Sequence, residues 1–151
     1  MSTVSAHREA MISALKAHLI PYLKTNGFRG SFPHFRREAL PRVDYLTVQF
    51  SRDGGSFVVE LATSSDDGRP SGHGSELPVS KLTTHYFRDR HRLGSGLAAG
   101  ASDHWFRFGP SAFDRPIPVH EEGYYADIAN AVRKSFEQDG AKWLESRHGA
   151  A

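Results

Sequence analysis

The densest group of functional side chains lies near the middle of the sequence, in the run Thr84–Gly94. If this run forms a strand, alternation places Arg88, Arg90 and Arg92 side by side on one face. Neighbouring guanidinium groups repel one another unless an anion or an acidic group balances them. The pattern therefore predicts a surface that binds a small anion or an acidic partner. A bidentate contact to phosphate or carboxylate suits arginine better than lysine.

Two residues that follow in sequence, His104 and Trp105, are expected to border this arginine face. The same arginines are also compatible with a solvated sheet face, or with an internal network that pairs them to acids such as Glu60. Clustered charges mark ordinary ion-pair networks as well as functional sites. Both interpretations stay open at this point.

Metal and cofactor sites are not indicated by the residue types or by their spacing. There is no cysteine, and the histidines show no zinc-type spacing. The glycine-rich run 94–100 leads into an aromatic stretch, whereas a phosphate-binding loop leads into a helix N-terminus. We therefore predict no metal and no cofactor.

Length and composition are typical of one ordinary globular domain. The chain has 151 residues, 38% of them hydrophobic, with 19 basic and 17 acidic side chains and a net charge of +2. Such a small excess argues against a dedicated nucleic-acid-binding protein, although a local basic patch remains possible. No apolar run is long enough to span a membrane, so we expect a single cytoplasmic domain over residues 1–151.

Helical periodicity occupies both ends of the chain. Residues 5–25 carry an apolar stripe, with a kink or break expected at Pro21 and a left-handed stop at Asn26-Gly27. Glu121 begins a second helical region, which Asp139-Gly140 interrupts before a short final helical piece. Residues 147–151 are expected to form a disordered tail.

Strand signals occupy the middle of the chain, around 32–35, 43–51, 57–63, 84–93 and 104–109. The turn Arg52–Gly55 joins two of these strands into a hairpin. Flexible loops are expected near 64–83 and 94–103. A run of strands between terminal helices predicts an α+β fold, with an antiparallel sheet of about five strands packed against the N- and C-terminal helices.

Several short motifs together resemble the family known as domain of unknown function 4304, whose members are mostly bacterial. The matching residues are Leu23-Lys24, Gly27-Phe28, Phe35-Arg36-Arg37, Val48-Gln49-Phe50-Ser51, Phe57, Arg90-His91-Arg92-Leu93-Gly94, Trp105 and Trp143-Leu144-Glu145. The sequence departs from the family pattern in the glycine-rich insert after Leu93 and in the long loop 64–83. The resemblance implies a small cytoplasmic α+β domain and no established activity.

Three functional hypotheses follow from the arginine face. The first is a non-enzymatic binding protein whose sheet surface engages an acidic protein or a small anion. The second is a small enzyme that acts on phosphate-containing substrates, with the arginines as a clamp and His85, His91 or His104 as general acid or base. The third is nucleic-acid binding, for which affinity should fall steeply with salt.

Overall fold

The N-terminal helical region is divided in two at Leu19. The computed structural model describes residues 3–39, 42–64, 76–94 and 104–148. Helix α1 spans Thr3–His18, and α2 spans Ile20–Thr25. Pro21 lies in the first turn of α2, where a backbone N–H is not needed for a helical hydrogen bond. The expected break at this proline is confirmed, although the helical region begins earlier than residue 5.

Helix α2 ends in a glycine-based stop motif. Gly27 has φ of +91°, its N–H donates to the Lys24 carbonyl, and the Phe28 N–H donates to the Leu23 carbonyl. This is the Schellman pattern, which glycine favours because a Cβ disfavours the left-handed conformation. Phe28 is then buried in the core. The predicted left-handed stop at Asn26-Gly27 is confirmed.

The described residues form an antiparallel sheet of six strands. They are β1 (Arg29–Ser31), β2 (His34–Ala39), β3 (Arg42–Phe50), β4 (Ser56–Thr63), β5 (Arg90–Arg92) and β6 (Phe106–Arg107). Their order is β1-β2-β3-β4-β5. The short strand β6 pairs with the beginning of β4, on the same edge that β5 pairs with farther along. The β3–β4 turn contains Gly54 and Gly55, both at positive φ, as the hairpin prediction required.

The two faces of the sheet carry different clusters. The face toward the helices includes Leu46, Val59 and Leu61, which join the main core with side chains from all four helices. On the opposite face, Tyr45 and Ala62 pack with residues of the segment 76–87, whose 3₁₀ turns span Val79–Lys81 and Thr84–Tyr86. Alternation along each strand produces this division.

The predicted strand 84–93 is wrong in its first half. Thr84–Tyr86 forms a 3₁₀ turn, in which the Thr83 side chain accepts a hydrogen bond from the His85 N–H, and β5 is only three residues long. Arg88 therefore lies outside the strand, just before β5. The expected single face of three strand arginines is reduced to Arg90 and Arg92.

The C-terminal helical region consists of α3 (Glu122–Ser135), a π-helical turn (Phe136–Gly140) and α4 (Ala141–His148). The sequence predicts an interruption of this helical region at Asp139-Gly140, and the π turn contains both residues. Arg147 does not belong to a tail, because α4 includes it and its side chain forms an ion pair with Asp89 at 3.0 Å.

Parts of the predicted loops and tail, namely 65–75, 95–103 and 149–151, lie outside the described residues. Within the predicted loop 64–83, Ser64 and Leu82 are buried. None of the helices in the described ranges has the length and apolar character that crossing a membrane requires. The architecture is the single α+β domain that the sequence predicted, with terminal helices on an antiparallel sheet.

Candidate functional site

Strand β5 places its two arginines on the sheet face that lies away from the helices. Arg90 pairs in register with Ala62, and Arg92 pairs with Glu60. His91, between them, pairs with Leu61 of the main core. Because side chains alternate along a strand, Arg90 and Arg92 share one face and His91 belongs to the other.

Arg90 has one ionic partner in the described part of the chain. Its Nη1 atom lies 3.6 Å from Oε2 of Glu60, which is beyond hydrogen-bond distance. The Arg90 side chain is 38% exposed, whereas Glu60 is only 5% exposed. The buried carboxylate therefore lies beside the guanidinium and attracts it, while more than a third of the Arg90 side chain remains accessible.

Arg92 and Trp105 lie close together. The sequence predicts that Trp105 borders the arginine face. The guanidinium carbon of Arg92 lies 5.4 Å from the Trp105 ring centroid. This distance is within the range of cation–π attraction, for which tryptophan is the best partner. Trp105 remains 40% exposed. A large aromatic surface is thus held beside the cationic strand.

The other two predicted site residues have different surroundings. Arg88 is exposed and forms no ion pair with the described residues. The ring of His104 packs on Gly94, where a Cβ would approach its Cδ2 to 2.5 Å, and stands edge-to-face to Phe106 at 4.7 Å. His104 consequently supports the turn after β5. We name Arg88, Arg90, Arg92 and Trp105 the arginine surface.

Sequence reasoning did not identify a polar row that crosses the same face. His34, Thr47, Glu60 and Arg92 are register partners on four adjacent strands, so the row extends over about 14 Å. His34 Nδ1 lies at hydrogen-bond distance, 3.0 Å, from Thr47 Oγ1. The available signal was the presence of Thr47 and Glu60 in otherwise apolar strands.

His34 has a perturbed protonation equilibrium. Although the side chain keeps an exposed edge, the surrounding protein desolvates it and lowers its pKa, with a further lowering contribution from His85. The rings of the two histidines are 6.2 Å apart. His85 therefore lies beside the β2 end of the polar row, opposite the β5 end that carries the arginine surface.

A histidine–carboxylate pair occupies the helix side of the sheet. His91 Nε2 lies 2.9 Å from Asp139 Oδ2, which also accepts a hydrogen bond from the Gly94 N–H at 3.2 Å. The His91 ring stacks on Trp143 with centroids 5.3 Å apart. The π turn that carries Asp139 thus joins the end of β5, and this pair is separated from the arginine surface by the sheet.

A second buried polar group links α1, α3 and the connection before α3. His7 is fully buried, and its ring contacts the hydroxyl of Tyr125 and the carbonyl oxygen of Ile117. Burial raises the pKa of Tyr125, partly opposed by the hydrogen bond from the His120 N–H. Within the described ranges, no three His, Cys, Asp or Glu side chains converge as a metal site would require.

Comparison with protein families accounts for most of the chain. The family described as "Domain of unknown function (DUF4304)" matches residues 19–146. The chain belongs to this family. The DUF4304 match includes every described strand, the arginine surface, α3 and most of α4, and it begins directly after the end of α1. Neither a curated protein nor a solved structure matches this DUF4304 chain significantly.

Proposed function

We propose that this DUF4304 domain is a non-enzymatic binding protein whose arginine surface engages an acidic surface of another protein. The observation that carries the proposal is Arg90, whose side chain is 38% exposed, forms no hydrogen bond with the described residues and lies beside the buried carboxylate of Glu60. Arginine and tryptophan are both enriched among the residues that dominate binding energy in protein interfaces.

The surroundings of the arginine surface favour an ordered binding patch. The Trp105 ring restrains Arg92, so less conformational entropy would be lost when a partner binds. Trp105 would supply apolar contact area, while Arg88 and Arg90 would attract carboxylates. Such charge complementarity mainly accelerates encounter and selects partners.

The alternative of a small enzyme acting on phosphate-containing substrates receives less support from this geometry. A general acid or base must lie within hydrogen-bond reach of the group that it serves. His91 lies on the opposite side of the sheet, bound to Asp139, and the ring of His104 packs on Gly94. His85 lies beside His34, at the end of the polar row remote from β5. Binding without catalysis is therefore the function that we infer.

Nucleic-acid binding is the third hypothesis, and salt dependence separates it from protein binding. The net charge of +2 gives little general attraction for a polyanion. We also infer a cytoplasmic location, which is compatible with a cysteine-free sequence. The acidic partner would then be another protein of the same compartment.

The test uses a fluorescent peptide of alternating glutamate and tyrosine as a model of an acidic protein surface. Binding is followed by fluorescence polarisation for the wild-type protein and for the double variant Arg88→Ala/Arg90→Ala. The control is Arg52→Ala, which removes an exposed arginine from the β3–β4 turn. In parallel, the binding of single-stranded oligonucleotides is measured at salt concentrations between about 50 and 200 mM.

We expect saturable peptide binding that weakens at least tenfold in the double variant and is unchanged in the control. Arg52→Ala should retain the wild-type melting temperature, and the double variant should lose less than about 1 kcal/mol of stability, because the Arg90–Glu60 pair is partly exposed and too long for a hydrogen bond. Equal peptide affinity in all three proteins would show that the peptide does not bind at the arginine surface. Preferential oligonucleotide binding that falls by orders of magnitude with salt would instead support the nucleic-acid hypothesis.

A further inference from the structure

A cavity of about 330 Å³ lies between the β1–β2 hairpin and the 3₁₀ turn Val79–Lys81. It is on the same side of the sheet as the polar row, at the end remote from β5. The polar and charged residues of its lining are Ser31, His34, Arg36, Ser80, Lys81 and Thr83.

The lining is cationic and rich in hydrogen-bond donors. Arg36 and Lys81 approach from two different segments of the chain, and among the described residues no aspartate or glutamate contributes to the lining. Hydroxyl groups come from serines on both sides of the cavity and from Thr83. The Thr83 oxygen accepts the His85 N–H at 3.4 Å, so its own hydroxyl hydrogen can be donated elsewhere.

Arg36 has unused donor capacity. Its Nε atom is buried and has no hydrogen-bond partner in the described part of the chain. The nearest acid among the described residues is Glu38, whose Oε1 lies 3.6 Å from Nε, too far for a hydrogen bond. The Nη atoms of Arg36 also form no hydrogen bond with the described residues, and they are the donors that a ligand in the cavity can reach, because Nε itself is buried. Lys81, on the facing segment, is exposed and forms no ion pair with the described residues.

We propose that this cavity binds the phosphate group of a small phosphorylated molecule. Arg36 supplies a planar fork of N–H donors, Lys81 supplies a compact positive charge, and the hydroxyls complete the coordination of the oxygen atoms. Phosphate presents several acceptor oxygens and up to two negative charges, which match two cations better than a single carboxylate does.

The size of the cavity restricts the rest of the ligand. A volume of about 330 Å³ is at the lower end of the range for small-molecule sites. Phe32 and Leu82 offer apolar contacts for a short carbon skeleton, whereas a dinucleotide would exceed the available space. This site uses none of the residues of the arginine surface, so the proposal goes beyond the protein-binding function and does not depend on it.

The test is a titration of the ¹⁵N-labelled protein with inorganic phosphate, then with phosphoserine, at constant ionic strength. The variants are Lys81→Ala, which removes an exposed side chain, and Arg36→Lys, which keeps the charge but removes the fork. Lys24→Ala, at the end of α2, is the matched control for a surface lysine. Melting temperatures establish that every variant is folded.

We expect saturable shifts of the amides of Ser31, Arg36 and Ser80. Affinity should fall about tenfold or more in each cavity variant, the size of effect typical for losing a charge-assisted hydrogen bond, and remain unchanged in Lys24→Ala. Non-saturating shifts, or equal affinity in Lys81→Ala and Lys24→Ala, would overturn the proposal. If a phosphoserine-containing peptide binds much more tightly than phosphoserine, the ligand is a phosphorylated protein segment and the small-molecule proposal is overturned.

Discussion

The Nδ1 atom of His7 lies 2.7 Å from the hydroxyl oxygen of Tyr125, inside the packing between α1 and α3. The other ring nitrogen, Nε2, lies 3.0 Å from the carbonyl oxygen of Ile117 and must donate to it. In a neutral His7, Nδ1 is therefore the acceptor, and Tyr125 donates to it. The same hydroxyl accepts from the His120 N–H at 3.1 Å, so every member of the group is satisfied.

Tyr125→Phe should destabilise the protein by about 1–3 kcal/mol, because it leaves a buried acceptor on His7 and the His120 N–H without a partner. Urea denaturation at neutral pH measures the change in the free energy of unfolding. Tyr124→Phe is the control, since Tyr124 is 41% exposed. An equal effect of the two substitutions would contradict the assigned hydrogen-bond network.

Protonation of His34 should oppose folding. Desolvation, with a smaller contribution from His85, lowers its pKa in the folded state below the unfolded value of 6.5. Near and below that value the unfolded state binds more protons, so stability is fully present above pH 6.5 and declines as pH falls through the folded pKa. Urea denaturation of the wild type and of His34→Gln between neutral and mildly acidic pH should show a shallower decline in the variant.

His34 also lines the cavity that we propose to bind phosphate, so its pKa can be used to detect an anion bound there. Sulfate keeps a fixed charge over this pH range, so any pH dependence of its effect arises from the protein. If sulfate occupies the cavity, an NMR titration of the His34 ring should give a higher pKa with sulfate than without it. An unchanged His34 pKa at saturating sulfate would show that the bound sulfate does not lie near this histidine.

Gly140→Ala should destabilise the protein at the π turn. A Cβ on Gly140 would lie 2.6 Å from Leu93 Cδ2 and 2.9 Å from Leu61 Cδ1, both buried in the core. Overpacking of this kind typically costs about 1–3 kcal/mol. Gly123→Ala, in the first turn of α3, meets no atom within 4 Å and should be neutral or stabilising by up to about 1 kcal/mol. Thermal and urea unfolding of both variants measure the difference, and similar values would contradict this packing.

Local signals in the sequence were sufficient to predict most of the fold. Pro21 and Gly27 determine where the first helical region breaks and ends, and Gly54 and Gly55 determine a hairpin turn, because each acts through its own backbone conformation. The run 84–93 was misassigned because its alternation resembles a strand. Tertiary packing instead buries Phe87 against Tyr45, at a ring distance of 4.8 Å.

The candidate sites depended on contacts that alternation alone cannot provide. The density of arginines and aromatics located the arginine surface, and Trp105 does contact Arg92. The cavity lined by Arg36 and Lys81 could not be predicted, because these residues are far apart in sequence and come together only through the packing of the segment 76–83 on the β1–β2 hairpin. Long-range pairs of this kind leave no periodic signal in a single sequence.

A double-mutant cycle can decide whether Arg90 is a structural or a binding residue. The Arg90–Glu60 pair is 3.6 Å long and its arginine is substantially exposed, so the coupling free energy from Arg90→Ala, Glu60→Gln and the double variant should be below about 1 kcal/mol. Glu60→Gln should meanwhile tighten binding of the acidic peptide, because it removes the negative charge beside the guanidinium while keeping the side-chain shape. Urea denaturation gives the coupling, and fluorescence polarisation gives the affinity. A coupling energy above about 2 kcal/mol, with peptide affinity unaffected by Glu60→Gln, would assign Arg90 to an internal ion pair.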